Sequence, residues 1–521
     1  MSRYSPHVDE ESDETSTTRP RRSTQTPLVD LADWLGTVTD VARHGDLGAV
    51  VSGISLSTDR IRPGDVYAAL PGTRAHGADF TAQAVAAGAV AVLTDLTGLE
   101  RLPGGVPALV VPEPRRVLGR LAALIYGNPA AALTVIGVTG TQGKTTTTRI
   151  LEQGLSAAGM TAAVIGTVGT RVAGVDLKTQ LTTPEAPDLH GLFALMRERG
   201  VETCAMEVSS HALVLGRVDG VVFDVATFLN LGRDHLDFHT DVDSYFAAKA
   251  SLFTPERARI GLTNIDDEFG VRLLERASIP MSTFSSRGGP ADWRAVDIEL
   301  RADGADFTVL GPDVEVRAHV PIPGEFNVSN TLAAIASAAL AGIDPHLVAD
   351  GIARSGGVPG RLEPVVAGQD YTVVVDYAHK PDALEAVLAT LRPLTAGRVI
   401  VVVGAGGDRD TIKRPVMGEI AARLADVVLV TDDNPRSEDP ATIRAAVLAG
   451  ARNGAGGGAA EVLEIGDRRL AIREAVLRAG TGDVVLIAGK GHETGQQVLG
   501  EVHPFDDRVV AAEEIRARGA G

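Results

Sequence analysis

Cysteine is nearly missing from this chain: Cys204 is the only one in 521 residues. That excludes an internal disulfide and a cysteine-built zinc site. Basic residues are in deficit, 49 Lys and Arg against 67 Asp and Glu, giving a net charge of −18. A non-specific nucleic-acid binder needs clustered basic residues to meet phosphates, so this balance argues against that class. No apolar run approaches the roughly 20 residues needed to span a bilayer. The N-terminus lacks a signal-peptide core, there is no repeat of solenoid period, and no coiled-coil heptad is present. A soluble, monomeric, cytoplasmic protein is the expectation.

The length exceeds what one hydrophobic core organises, so several domains are expected. Residues 1–27 are Ser, Thr, Asp, Glu, Arg and Pro with little that is apolar, and are expected to be a disordered tail. Three α/β domains follow. The first is small, covers 28–112 and includes the strand Asp65–Leu70. The second, 113–359, opens behind Pro112, Pro114 and the Gly127-Asn128-Pro129 turn and has a P-loop ATPase-like pattern. The third, 360–521, alternates strand-like runs at 371–375, 399–403, 427–431, 461–465 and 484–487 with Ala- and Leu-rich helical segments. That alternation predicts a Rossmann-like, doubly wound parallel sheet. The Gly-rich patch 454–458 reads as a surface loop.

The strand 133–138 runs into Thr139-Gly140-Thr141-Gln142-Gly143-Lys144-Thr145-Thr146, and a helix follows from about Thr147. Glycines let backbone N–H groups wrap phosphate oxygens, the helix N-terminus adds its dipole, and a lysine reaches the outer phosphates. A threonine hydroxyl beside that lysine suits Mg²⁺. Val138 stands where a strict P-loop has glycine, which points away from switch GTPases and motor ATPases.

This loop resembles that of the Mur ligases, ATP-dependent amide-forming enzymes of peptidoglycan precursor synthesis. Other segments match the family in order: Glu207–His211, Asp234-His235-Leu236-Asp237, Tyr245–Lys249, Gly324–Asn330, Gly360-Arg361 and Asp376–His379. The resemblance implies ATP bound by Gly140, Thr141, Gln142, Gly143, Lys144, Thr145 and Thr146, with Asn327 and Asn330 near the adenine. It implies Mg²⁺ held by Thr145, Glu207, His235 and Lys249, the last as a carbamate (N6-carboxylysine). Lys144, Glu207, His235, Lys249, Arg361 and Asp376 are the implied catalytic set. Read without the resemblance, Lys249 is one more lysine on an amphipathic helix, and the asparagines are a helix cap and an exposed amide.

Motifs of the third domain fall at successive strand ends, where open α/β sheets bind ligands. Arg409 and Arg436 could each grip a carboxylate, and Asp433 and Glu493 could each hold an ammonium group. A ligand with two of each, such as diaminopimelate, satisfies this set, whereas lysine leaves Arg436 without a partner. The resemblance agrees: Asp433-Asn434-Pro435-Arg436 and Gly489–Glu493 look like the diaminopimelate motifs of the family. Meso and LL forms carry the same charges; the meso form is the expectation. The nucleotide-sugar substrate, UDP-MurNAc-L-Ala-D-Glu, is implied to meet Leu56, Thr58, Thr182, Thr183, Ser209, Leu215 and Arg217. Three positions depart from the family pattern: Leu215 replaces an expected glutamine, Gln142 an asparagine or small residue, and Leu56–Asp59 the usual Asp-Ser-Arg run. Rival readings are a lysine-adding Mur ligase, a folylpolyglutamate synthetase-like ligase, and a P-loop switch protein without ligase chemistry.

Overall fold

The computed structural model describes residues 18–232, 234–235, 238–301, 303–454 and 460–519. Two compact units result. One is the chain up to Arg294 with Leu310–Val314 and Leu332–Gly351; the other is Ala295–Val309, Glu315–Thr331 and Ile352 onward. A domain is defined by which side chains share a core, so its limits need not follow a single cut in the chain. No helix among the described residues is long and apolar enough to cross a membrane.

Besides one two-stranded pair, the first unit contains two larger sheets. The smaller has the order Ala42–His44, Ala108–Val110, Ala91–Thr94, Asp65–Ala68, Gly53–Ser55, parallel except for its first strand. Its core takes in Leu118, Leu121 and Ile125 from the helix Pro114–Ile125 and Tyr126 just after it, so that core extends past the boundary expected at Pro112. The helix has an apolar face at i, i+3 and i+7 spacing, and the sheet supplies the partner that hides it.

Residues 18–27, expected to be disordered, are tied down instead. Arg19 donates to both carboxylate oxygens of Asp65 at 2.6 Å, with both side chains buried. Thr26–Pro27 pair with Val50–Val51. Composition could not show this, because the aspartate that orders the arginine lies 46 residues away. The rest of the expected tail, 1–17, lies outside the described residues, as do 455–458 of the Gly-rich patch; Gly454 ends the helix Pro440–Gly454.

The larger sheet places Thr134–Thr139 between Thr203–Glu207 and Phe223–Phe228, all parallel. Outward from these lie Ala162–Gly166 on one side and Ala258–Asn264 and Met281–Ser285 on the other. Gly169–Val172 and Val175–Leu177 add an antiparallel edge. The inner strands are buried on both faces, which is why they read as unbroken apolar runs.

In the second unit the sheet order is Glu363–Pro364, Thr372–Asp376, Val484–Ala488, Val399–Val403, Val427–Val430, Glu461–Glu464. Five strands are parallel, as expected, and the short Glu363–Pro364 strand is an antiparallel edge that the sequence reading did not foresee. Ile472, Val476, Val510 and Ile515 from the helices Arg468–Arg478 and Asp507–Gly519 share one core with Val373, Val375, Ile400 and Val402. Arg468, the first residue of the helix Arg468–Arg478, is fully buried. It donates to both oxygens of Asp507 at 2.7 Å and to the Ala488 carbonyl at 2.9 Å.

Candidate active site

In the first unit, Gly143 ends the phosphate loop at φ +85°, a conformation that strains any residue with a Cβ, and the helix Lys144–Ala157 starts from it. At Gly140 a Cβ would sit 3.0 Å from the Leu229 side chain. The Lys144 ammonium donates to the carbonyls of Gly140 at 2.7 Å and Thr141 at 3.1 Å, folding back over its own loop. Asn230, which the sequence reading missed, braces the loop from the neighbouring strand end. Its side-chain carbonyl accepts from the N–H groups of Thr141 and Gln142 at 3.1 and 2.9 Å, and its amide donates to the Gln142 carbonyl. Only the parallel pairing of residues 134–139 with 223–228 brings Asn230 there.

Glu207 is buried beside the loop. Its Oε1 accepts from the Thr145 hydroxyl at 2.9 Å and the Thr167 N–H at 2.8 Å, and its Oε2 from the Thr167 hydroxyl at 3.1 Å. Lys249, on the helix Val242–Ala250, is not a surface lysine: only 1 % of it is exposed. Its amine donates to the Gly140 carbonyl at 2.8 Å and lies 4.7 Å from the Tyr245 ring centre. Burial pushes the Tyr245 phenol up, while its oxygen sits 3.1 Å from the Thr141 hydroxyl. His235 has a left-handed backbone at φ +55° and packs edge-on against His211 at 4.8 Å, with Asp234 3.3 Å from its Nε2. Leu236 and Asp237 of that segment lie outside the described residues. Among the described residues no group of three His, Cys, Asp or Glu side chains forms a metal-holding cluster.

The residues expected to meet the dipeptide cluster around one turn. The buried Thr183 hydroxyl donates to the Glu207 carbonyl at 2.8 Å and lies 3.4 Å from the Ser209 oxygen. Ser209 caps the helix Ser210–Val214. Arg217 donates to Glu185 at 2.8 Å and to the Thr183 carbonyl at 3.4 Å. Thr182 is 3.0 Å from Thr167, and Leu215 offers only its carbonyl, 3.5 Å from Arg115. Leu56 packs against the core of the smaller sheet, and Thr58 opens the short helical turn Thr58–Arg60.

In the second unit Asn327 and Asn330 begin the helix Glu325–Leu340, and both are buried rather than a cap and an exposed amide. Asn327 donates to the Pro323 carbonyl at 2.8 Å, and Asn330 donates to Asn327. Asp376 ends its strand with both carboxylate oxygens occupied, accepting from the Leu362 and Ala378 N–H groups at 2.8 Å. Burial pushes this carboxyl up, against the pull of the nearby Arg361 guanidinium. Arg361 in turn lies 4.8 Å over the Tyr377 ring.

At the neighbouring strand ends, Asp433 and Asn434 are buried, while Arg409 is exposed on the loop after Val399–Val403. Glu493 is already engaged. It accepts from Asn434 at 2.9 Å and from Lys490 at 3.1 Å, a lysine with no exposed surface that the sequence reading did not use. Such a lysine is compatible with burial only because a carboxylate and an amide oxygen meet it. Gly489 passes so close to Asp433 that a Cβ would lie 2.5 Å from the Asp433 carboxylate. Pro435 lies between Asn434 and Arg436, its carbonyl against Gly407. Arg436, at φ +53°, donates through one terminal nitrogen to the Gly407 carbonyl at 2.6 Å.

A glycine-rich loop with a lysine at a helix start on one α/β sheet and clustered charged residues at the strand ends of another suit an ATP-dependent ligase, and comparison with known proteins points to the same class. Residues 50–126 match the Mur ligase family catalytic domain, 138–338 the Mur ligase middle domain and 360–491 the Mur ligase glutamate ligase domain. The chain belongs to the Mur ligase family. Within it, the chain is 54 % identical over 501 residues to the UDP-N-acetylmuramoyl-L-alanyl-D-glutamate–2,6-diaminopimelate ligase of Streptomyces avermitilis, covering 96 % of this chain and 98 % of that one. It is 49 % identical over 493 residues to the ligase of the same name from Corynebacterium glutamicum, covering 92 % and 94 %. A solved structure of a ligase with this name is 33 % identical, with a TM-score of 0.65 over 90 % of this chain and 95 % of that one.

Proposed function

We infer that this chain is an ATP-dependent amide ligase that adds 2,6-diaminopimelate to the D-glutamate of UDP-MurNAc-L-Ala-D-Glu in peptidoglycan precursor synthesis. The observation that carries the amino-acid choice is the Asp433–Arg436 loop, where a buried aspartate and an arginine unpaired with any carboxylate among the described residues stand at one strand end. Aspartate suits an ammonium group, and the guanidinium fork suits a distal carboxylate.

The reaction transfers the γ-phosphoryl group of ATP to the glutamate γ-carboxylate. An amine of diaminopimelate then attacks the acyl carbon, loses a proton, and phosphate leaves as the amide forms. Anions must approach one another, so Lys144 and the N–H groups opening its helix offset negative charge. Mg²⁺ is a hard cation that takes oxygen ligands, and the Thr145 hydroxyl and Glu207 carboxylate, 2.9 Å apart and buried, fit it. When bound it would neutralise charge on the phosphates. We assign Lys249, as a carbamate, and His235 to the same role; a carbamate would turn the buried Lys249 amine into an oxygen donor. Thr183, Ser209 and Arg217 are assigned to the dipeptide, Leu56 and Thr58 to the uridine end, and Asn327 and Asn330 to the adenine. ATP and a nucleotide-sugar as substrates support a cytoplasmic enzyme, and we take it to act as a monomer.

Phosphate release with ATP, Mg²⁺, UDP-muramoyl-dipeptide and each of several amino acids tests the proposal. Turnover is expected with diaminopimelate; turnover with lysine but not diaminopimelate would overturn the specificity.

A further inference from the structure

The loop that carries Arg436 is shaped by a part of the chain that lies beyond the family match at 360–491: the hairpin Gly495–Val498 and Glu501–Pro504. The Gln496 side chain donates to the Asp433 carbonyl at 2.8 Å, and the Gln497 N–H to the Asn434 side chain at 2.9 Å. The Arg436 N–H donates to the Gln497 carbonyl at 3.0 Å, and the Leu499 N–H returns to the Arg436 carbonyl at 2.6 Å. The hairpin thus docks along the loop as a template, with Arg436 and Val498 bridged.

Two features make this more than a structural tie. Arg436 has a left-handed backbone at φ +53°, which an arginine adopts at a cost and which persists only where neighbours enforce it. The side chain is steered as well. Arg436 Nε donates to Gln497 Oε1 at 3.1 Å while a terminal nitrogen donates to Gly407. A guanidinium has five N–H donors in one rigid plane, so two fixed bonds set that plane and leave the remaining donors for a ligand.

We propose that Gln497 is a positioning residue for diaminopimelate recognition: it sets the plane in which Arg436 presents its free N–H groups to the distal carboxylate. The neutral amide matters. A carboxylate at this position would pair with Arg436 and compete with the ligand for it. The proposal rests on the reading that Arg436 grips that carboxylate, and the experiment separates the two.

Steady-state kinetics on the full chain, with KM measured for each of the three substrates, compare Gln497→Met, Gln497→Glu and Arg436→Ala. Gln497→Met removes the acceptor at an exposed position and should raise KM for diaminopimelate about three- to tenfold, the effect of losing one ordinary solvent-exposed hydrogen bond. Its kcat and its KM values for ATP and UDP-muramoyl-dipeptide should stay unchanged. Gln497→Glu should raise the diaminopimelate KM further and relieve discrimination against lysine. If Arg436→Ala raises the diaminopimelate KM while Gln497→Met does not, the positioning role is overturned. A rise in all three KM values also overturns it, since that would be a purely structural effect. If Arg436→Ala leaves the diaminopimelate KM unchanged, the reading of Arg436 itself fails.

Discussion

The phosphate loop and the Asp433–Arg436 loop both sit where a parallel strand turns into a helix, yet they are held in different ways. The phosphate loop makes its own turn: Gly143 supplies the left-handed residue, and Lys144 closes on carbonyls three and four residues back. Asn230 braces it at the Thr141 and Gln142 N–H groups, Lys249 at the Gly140 carbonyl and Tyr245 at the Thr141 hydroxyl. The Asp433–Arg436 loop has a left-handed arginine where a glycine would be comfortable, and it depends on Gly407, Lys490, Gln496 and Gln497, all distant in the chain. The lesson is one of evolvability. A self-made loop keeps its function wherever its own residues persist, whereas an externally templated loop can be retuned by changing its supports.

The largest effect should come from the self-made loop. Lys144→Ala removes the charge we assign to the transferred phosphoryl group and should lower kcat on the order of 10³-fold, with the thermal melting temperature little changed. A large fall in melting temperature would mean that the lysine mainly staples the loop.

The support beneath the second loop gives the next largest effect. Arg468→Met leaves Asp507 as an unpaired buried carboxylate and should cost about 3 kcal/mol of stability. Urea unfolding followed by fluorescence or circular dichroism checks this. A near-neutral result would show that the buried pair does not hold the sheet end together.

Acid should probe the frame of the first unit. Burial pushes His190 down to about 4 although the Asp219 carbonyl accepts from it, and its Nδ1 has no hydrogen-bond partner. The unfolded chain, with an ordinary histidine near 6.5, binds the extra proton between pH 6.5 and 4, so stability falls as pH drops through that window. The loss should reach up to about 3 kcal/mol and be reduced in His190→Gln, read from urea midpoints at several pH values. An unchanged slope in the variant would remove His190 from the account.

The smallest effect should come from Asn230, one of the outside braces of the phosphate loop. Asn230→Ala should raise KM for ATP about tenfold while leaving KM for diaminopimelate alone. A loss as large as that of Lys144→Ala would erase the contrast between a self-made and a templated loop.

Much of this was legible before any coordinates. The strands at 399–403 and 484–487 announced themselves as unbroken β-branched runs, because a parallel strand covered on both faces has no polar side to show. Glycine and lysine in the phosphate loop were legible because their roles are set by local backbone geometry. Asn230, Lys490 and Gln497 were not, since an asparagine after a strand or a glutamine in a hairpin looks like any exposed polar residue until its partner is known. Arg19 was misread for the same reason: in a polar, proline-containing stretch it looks solvated, and only Asp65 gives it somewhere to be buried.

By itself the sequence determined the class of fold, the family, and the loops at which nucleotide and amino acid are expected. These depend on short-range periodicity and on turn chemistry, which neighbouring residues decide among themselves. Tertiary structure alone decided which distant side chains complete those loops. It set Asn230 against the loop amides, Lys490 between Asn434 and Glu493, and Gln497 against Arg436. The physical reason is that such bonds form between groups dozens of residues apart, and strand order, which no local pattern encodes, brings them within hydrogen-bond reach.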